Sequence, residues 1–133
     1  MATYSDFNIA FTPDPFSGDL QIVSDNAAVI QSIRLLVLTM FYERPFQPAI
    51  GSIISRLLFE PLDEVSESLL VKTIQDVINK FEPRATLKFV TVYKNIGPNG
   101  ESLDDNTIVV DVGFAIRNLP NITVATIVLL RLR

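Results

Sequence analysis

The chain contains neither cysteine nor histidine in its 133 residues. Without thiols it has no disulfide, no thiolate nucleophile and no zinc–thiolate site. Without imidazole it has no Ser-His-Asp or Cys-His arrangement, no histidine metal ligand, and no side chain whose ordinary pKa lies near neutrality. Proton transfer is left to carboxylates, lysines and tyrosines. Basic charge is also scarce: 11 Lys and Arg against 15 Asp and Glu leave a net charge of −4. That is the wrong sign for generic phosphate binding, although Arg131 and Arg133 make a small basic end. No segment approaches the roughly 20 apolar residues a bilayer demands. The start, Met1-Ala2-Thr3-Tyr4-Ser5-Asp6, lacks the basic and apolar regions of a signal peptide. The expectation is a soluble chain with no nucleic-acid partner, no membrane partner and no cofactor.

What is present is 48% apolar residues in a length that suits one domain, enough for a substantial core. Residues 1–19 read as an N-terminal tail, because Phe11-Thr12-Pro13-Asp14-Pro15-Phe16-Ser17-Gly18 is rich in turn formers. Residues 20–133 read as the domain. A short strand at Leu20-Gln21-Ile22-Val23 precedes Ser24 or Asp25, either able to cap a helix over residues 26–40. That helix is apolar almost all round, its polar face reduced to Gln31, Ser32 and Arg34, so more than one side must be covered. A short helix is expected over 53–59, stopped by Pro61. A longer one over 65–80 carries Leu69, Leu70, Ile74, Val77, Ile78 and Phe81 on one face.

Three strands follow, over 86–96, 106–117 and 122–132, joined through Gly97-Pro98-Asn99-Gly100 and Asn118-Leu119-Pro120-Asn121. The middle one alternates, with Ile108, Val110, Val112, Phe114 and Ile116 inward. The fold class is therefore α+β: three helices packed on one face of a small antiparallel β-meander. The last strand is apolar on both faces, with Ile122, Val124, Thr126, Val128, Leu130 and Leu132 on one and Ala125, Ile127 and Leu129 on the other. As an edge strand without proline it invites pairing. Two readings stay open: cover by Leu20–Val23 or the tail, or docking of another chain through Val124, Thr126, Val128, Leu130 and Leu132.

Carboxylate catalysis would fall to Glu43, Glu60 and Glu82. Glu43 and Glu82 each stand beside an arginine, which favours the ionised form and spoils a general acid. Glu101, Asp104 and Asp105 lack calcium-loop spacing and read as a solvated hairpin tip. The segments Glu43-Arg44-Pro45 and Glu82-Pro83-Arg84 instead read as ionic contacts whose direction a proline fixes.

Arg44-Pro45-Phe46-x-Pro48-x-x-Gly51, then Leu58-Phe59, then an amphipathic helix ending in Glu82-Pro83-Arg84 and three strands, resembles one family. These are the baseplate wedge proteins of contractile-tailed phages that initiate the sheath, with counterparts in type VI secretion and other contractile injection machines. The resemblance runs from about residue 24 to the C-terminus. It implies a non-enzymatic structural protein of the virion baseplate, assembled in the host cytoplasm, whose partners are other wedge subunits and the tail sheath protein. The Glu-Pro-Arg triplet of that family, a contact at the wedge core, falls on Glu82, Pro83 and Arg84, with Glu43, Arg44 and Phe46 in support. The terminal strand would be offered to the first sheath ring. Phe41-Tyr42 departs from the small residue or glycine common there. Some relatives carry a lysozyme-like label, an activity the salt-bridged glutamates do not favour. A soluble protein-binding adaptor on the same fold is the other alternative.

Overall fold

The computed structural model describes residues 4–130 except 41, 60, 62, 118 and 120. Its elements run β1 (Ser5–Phe7), β2 (Ile22–Ser24), α1 (Asn26–Leu38), α2 (Ile54–Leu57), α3 (Glu64–Phe81), β3 (Ala85–Lys94), β4 (Thr107–Ile116) and β5 (Ile122–Leu130). The α+β class read from the sequence holds. β1 pairs with β2, and a separate antiparallel sheet has the order β3-β4-β5.

Alternation decides how that sheet is buried. Ile108, Val110, Val112, Phe114 and Ile116 of β4 meet Ala125, Ile127 and Leu129 of β5 in the core. Val29, Ile33 and Val37 of α1 and Leu70, Ile74 and Ile78 of α3 pack against them. Each Val, Leu, Ile or Phe among them contributes about 1.5–3 kcal/mol on leaving water. The other sheet face stays open, and Phe89, Ile122, Val124, Val128 and Leu130 are exposed on it. Phe89 is opposite Gly113, and its ring occupies the space a Cβ there would need.

α3 is the best-specified helix. The Asp63 carboxylate accepts the Ser66 N–H at 2.7 Å, while Glu64 and Glu67 in the first turn and Lys80 in the last complement the helix dipole. That hydrogen bond from Ser66 is what holds the Asp63 carboxyl below its usual range. Leu69, expected on the apolar face, is exposed instead, because it lies one step outside the Leu70–Ile74–Val77–Ile78 stripe.

α1 departs from expectation at both ends. Asp25 precedes it, but at φ 49°, and its carboxylate makes no cap. It accepts the Tyr4 N–H at 3.2 Å, so the residue anchors the N-terminal segment. The helix stops at Leu38, short of residue 40, because Thr39 is extended (φ −81°, ψ 128°). Buried Ser52 then donates its backbone N–H to Thr39 O at 2.9 Å and ties this end to the segment before α2. The short helix covers only Ile54–Leu57 of the expected 53–59.

Residues 5–24 form an irregular hairpin. Beyond β1 and β2 it continues through Asn8 N–H to Gln21 O, Gln21 N–H to Thr12 O and Asp14 N–H to Asp19 O, and turns at Gly18 (φ 71°). The turn-forming prolines limit it to isolated bridges but do not prevent pairing. Gln31 fastens it to α1, donating to Phe7 O at 2.7 Å and accepting from Ile9 N–H at 3.0 Å.

Candidate functional site

Two features stand out: a sheet edge left open and an ionic clasp closed inside the chain. The edge belongs to β5. Arg117 N–H donates to Arg84 O at 3.1 Å, so the odd-numbered residues of β4 turn their main-chain groups towards β3. The even-numbered ones therefore face β5, where Ile108, Val110 and Val112 oppose Leu129, Ile127 and Ala125. It follows that Ile122, Val124, Thr126, Val128 and Leu130 point N–H and C=O away from the sheet. The close side-chain pair of Thr126 Oγ1 and Asp111 Oδ1, at 2.8 Å, fits that assignment. So does Thr126 O, which accepts from an Arg34 Nη2 at 3.2 Å and thus faces outward.

The residues singled out on β5 thus carry both the outward side chains and the outward main-chain groups. Val124, Thr126, Val128 and Leu130 are exposed; Leu132 lies outside the described residues, as do Arg131 and Arg133. Among the described residues neither Leu20–Val23 nor the tail covers this edge: β2 is taken by β1, and no strand pairs with it. The opposite edge, β3, is protected differently. It has a bulge between Leu87 and Phe89, Lys88 at that bulge, and Lys94 paired with Glu67 of α3 at 3.3 Å. β5 has neither bulge nor lysine.

The clasp lies at the turn from α3 to β3. Glu82 ends α3, donating its N–H to Ile78 O, and its side chain is 2% exposed. Arg84 grips it with two parallel bonds, Nε to Oε1 at 2.7 Å and Nη2 to Oε2 at 2.9 Å, and the Ser32 hydroxyl donates to Oε2. Burial disfavours the charge, but the bonds from Arg84 and Ser32 and the charge of Arg84 outweigh it. The Glu82 carboxyl is held below its usual range and Arg84 is held more firmly protonated. The guanidinium also lies 5.7 Å from the centroid of the Tyr4 ring. One ion pair therefore joins α1, α3, β3 and the N-terminal segment.

Pro83 is exposed between the two charges, and Arg84 keeps 26% of its side chain in solvent. The second segment is not brought into the clasp by any hydrogen bond or ion pair among the described residues. The Glu43 carboxylate accepts Met40 N–H at 2.8 Å, so it caps a loop where an ion pair with Arg44 was expected. Phe46 is 97% exposed, and Arg44 is half-buried. Glu60, the third carboxylate considered, and Phe41 lie outside the described residues.

Sequence reasoning missed three participants: Tyr4, Ser32 and Arg34. For two of them a signal existed. Gln31, Ser32 and Arg34 are the polar exceptions on an apolar helix, and each ties α1 to another element: the hairpin, the clasp and β5 respectively.

The sequence profile of the family described as baseplate wedge protein gp25 matches residues 23–121. The chain belongs to that family. No curated protein sequence matches it. Similar folds occur among solved structures. A crystal structure from Geobacter sulfurreducens, provisionally named a tail lysozyme, superposes with a TM-score of 0.70 at 18% identity, over 84% of this chain and 96% of that one. A chain of the anti-feeding prophage baseplate gives 0.62 at 19% identity, over 98% and 87%. A chain of the post-contraction pyocin R2 baseplate gives 0.56 at 21% identity, over 80% and 98%. Membership in the gp25 family supports a structural role in a contractile-tail baseplate, in association with other baseplate subunits.

Proposed function

We propose that this gp25-family chain is a non-enzymatic wedge subunit that templates the sheath. β5 offers its outward main-chain row to an extended segment of the first ring of sheath subunits, which completes the sheet. The wedge core is gripped elsewhere, through Pro83, the exposed part of Arg84, and the 42–50 loop with Phe46. Residues 1–19 act as an arm strapped to the domain of residues 20–133. The particle is assembled in the host cytoplasm and carries the subunit in its tail baseplate.

The observation that supports this most is the contrast between the two sheet edges: β3 is bulged and charged, whereas β5 presents five consecutive alternate residues with outward main-chain groups. The clasp supports it differently. By fixing α1 and α3 against the sheet, it keeps β5 in place without help from a partner. Hydrolysis of a polysaccharide would need a protonated carboxylic acid, and Glu82, ionised and enclosed by Arg84 and Ser32, supplies none. The lysozyme label of a structure 18% identical speaks for the fold alone.

The test is sheath assembly on baseplates carrying Val128→Pro. The Val128 N–H points away from β4, so proline removes an edge donor and no bond within the sheet. Baseplates should form and sheath should fail to polymerise on them. Normal sheath on such baseplates would refute docking at this edge; baseplates lacking the subunit would refute the separation of core and sheath contacts.

A further inference from the structure

The contact between Arg34 and Thr126 sits at the middle of the open edge, and among the described residues it is the hydrogen bond made to its outward main-chain row. Arg34 Nη2 donates to Thr126 O at 3.2 Å. That carbonyl is one of the acceptors an added strand would need, so Arg34 competes with such a strand at the centre of the edge. Arg34 also lines a groove of about 540 Å³ with Asn8, Ile9, Ile30, Leu35 and Leu38, formed between the N-terminal hairpin and α1. Arg34 is the one charged residue in its lining. No carboxylate pairs with it among the described residues, whereas the clasp arginine Arg84 is paired with Glu82.

We infer that Arg34 is a displaceable cap on the β5 edge. In the unassembled chain it occupies the central carbonyl and blocks edge-to-edge pairing of one copy with another. The β5 of a second copy brings no acid to release it, since its helix-facing residues are Ala125, Ile127 and Leu129. The strand that does release it brings a carboxylate on its helix-facing side, next to Thr126. The guanidinium then exchanges a neutral acceptor for a charged one, and the carbonyl is freed for the incoming N–H. Arg34 thereby selects an acidic, otherwise apolar extended segment over a self-complementary one. This inference rests on docking at β5 and adds what decides the occupant.

Two measurements on the whole chain test it. In the first, light scattering after size-exclusion chromatography compares the wild type, Arg34→Ala, and Arg34→Ala combined with Val128→Pro. The wild type should be monomeric, Arg34→Ala should self-associate, and the added proline should restore the monomer. A monomeric Arg34→Ala at the same concentration overturns the cap, as does association that survives the proline. In the second, two blocked alternating threonine–valine peptides are titrated, one with a central glutamate and one with a central lysine. The glutamate peptide should bind the wild type about fivefold more tightly, as a partly exposed ion pair allows. Arg34→Ala should lose that preference. Equal binding of both peptides overturns the role of Arg34 while leaving docking at β5 in place; binding of neither overturns both.

Discussion

Replacing Arg84 with alanine is the sharpest probe of the clasp. The Glu82 side chain is 2% exposed in the wild type, and the substitution leaves its carboxylate with the Ser32 hydroxyl as its remaining side-chain donor. Removing one partner of a buried pair costs about 3–5 kcal/mol. Arg84 is itself 26% exposed, so water enters where the guanidinium was, and the low end, about 3 kcal/mol, applies here. Glu82→Gln keeps the shape and removes the charge, and should cost only about 1–2 kcal/mol. Urea unfolding followed by circular dichroism measures both. The pH dependence follows from the direction of the Glu82 shift. The folded carboxyl is depressed, so the stability it confers is present above the unfolded value of about 4.3 and is lost as pH falls through the folded value. The gap between the wild type and Arg84→Ala should therefore narrow over that acid window. A cost below about 1 kcal/mol, or a gap that ignores pH, would refute the reasoning.

Other substitutions test separate parts of the structure. Gly113→Ala places a Cβ 2.1 Å from Phe89 Cε1 and should cost about 1–3 kcal/mol by overpacking; adding Phe89→Ala should recover part of that in thermal unfolding. Tyr42 holds φ 67° with its side chain 85% exposed, so Tyr42→Gly should leave the unfolding free energy unchanged or raise it by up to about 1 kcal/mol. A larger loss would show that the tyrosine ring packs. Proline at adjacent β5 positions should behave oppositely: Ile127→Pro removes a bond to β4 within the core and costs about 3 kcal/mol or more, whereas Val128→Pro leaves the far-ultraviolet spectrum intact.

How much of this was legible in the sequence depends on whether a residue's partner is local. Period-two alternation gave β4 its inward set, and the stripe from Leu70 to Ile78 gave α3, because both patterns are carried by one segment. The Glu-Pro-Arg turn was legible as a rigid ionic contact, but not that Arg84 would close on a glutamate two residues away and recruit Ser32, 50 residues earlier. Asp25 has the composition of a helix cap, yet the N–H it accepts belongs to Tyr4, an element that composition marked as loose. The edge was legible as apolar and unprotected. Which main-chain groups point outward was not, since that parity depends on the register of β4 against both neighbours. The Phe41-Tyr42 departure was visible, and the left-handed backbone at Tyr42 gives it a meaning: glycine would adopt that conformation without strain.

The open edge of β5 is tested most directly by amide hydrogen exchange at alternate residues, first in the isolated chain and then in the assembled, sheathed tail. In isolation the Val124 and Val128 amides should exchange rapidly while those of Ala125, Ile127 and Leu129 are protected, and assembly should protect Val124 and Val128 as well. Protection of Val124 and Val128 before assembly, or rapid exchange there after it, would contradict the account.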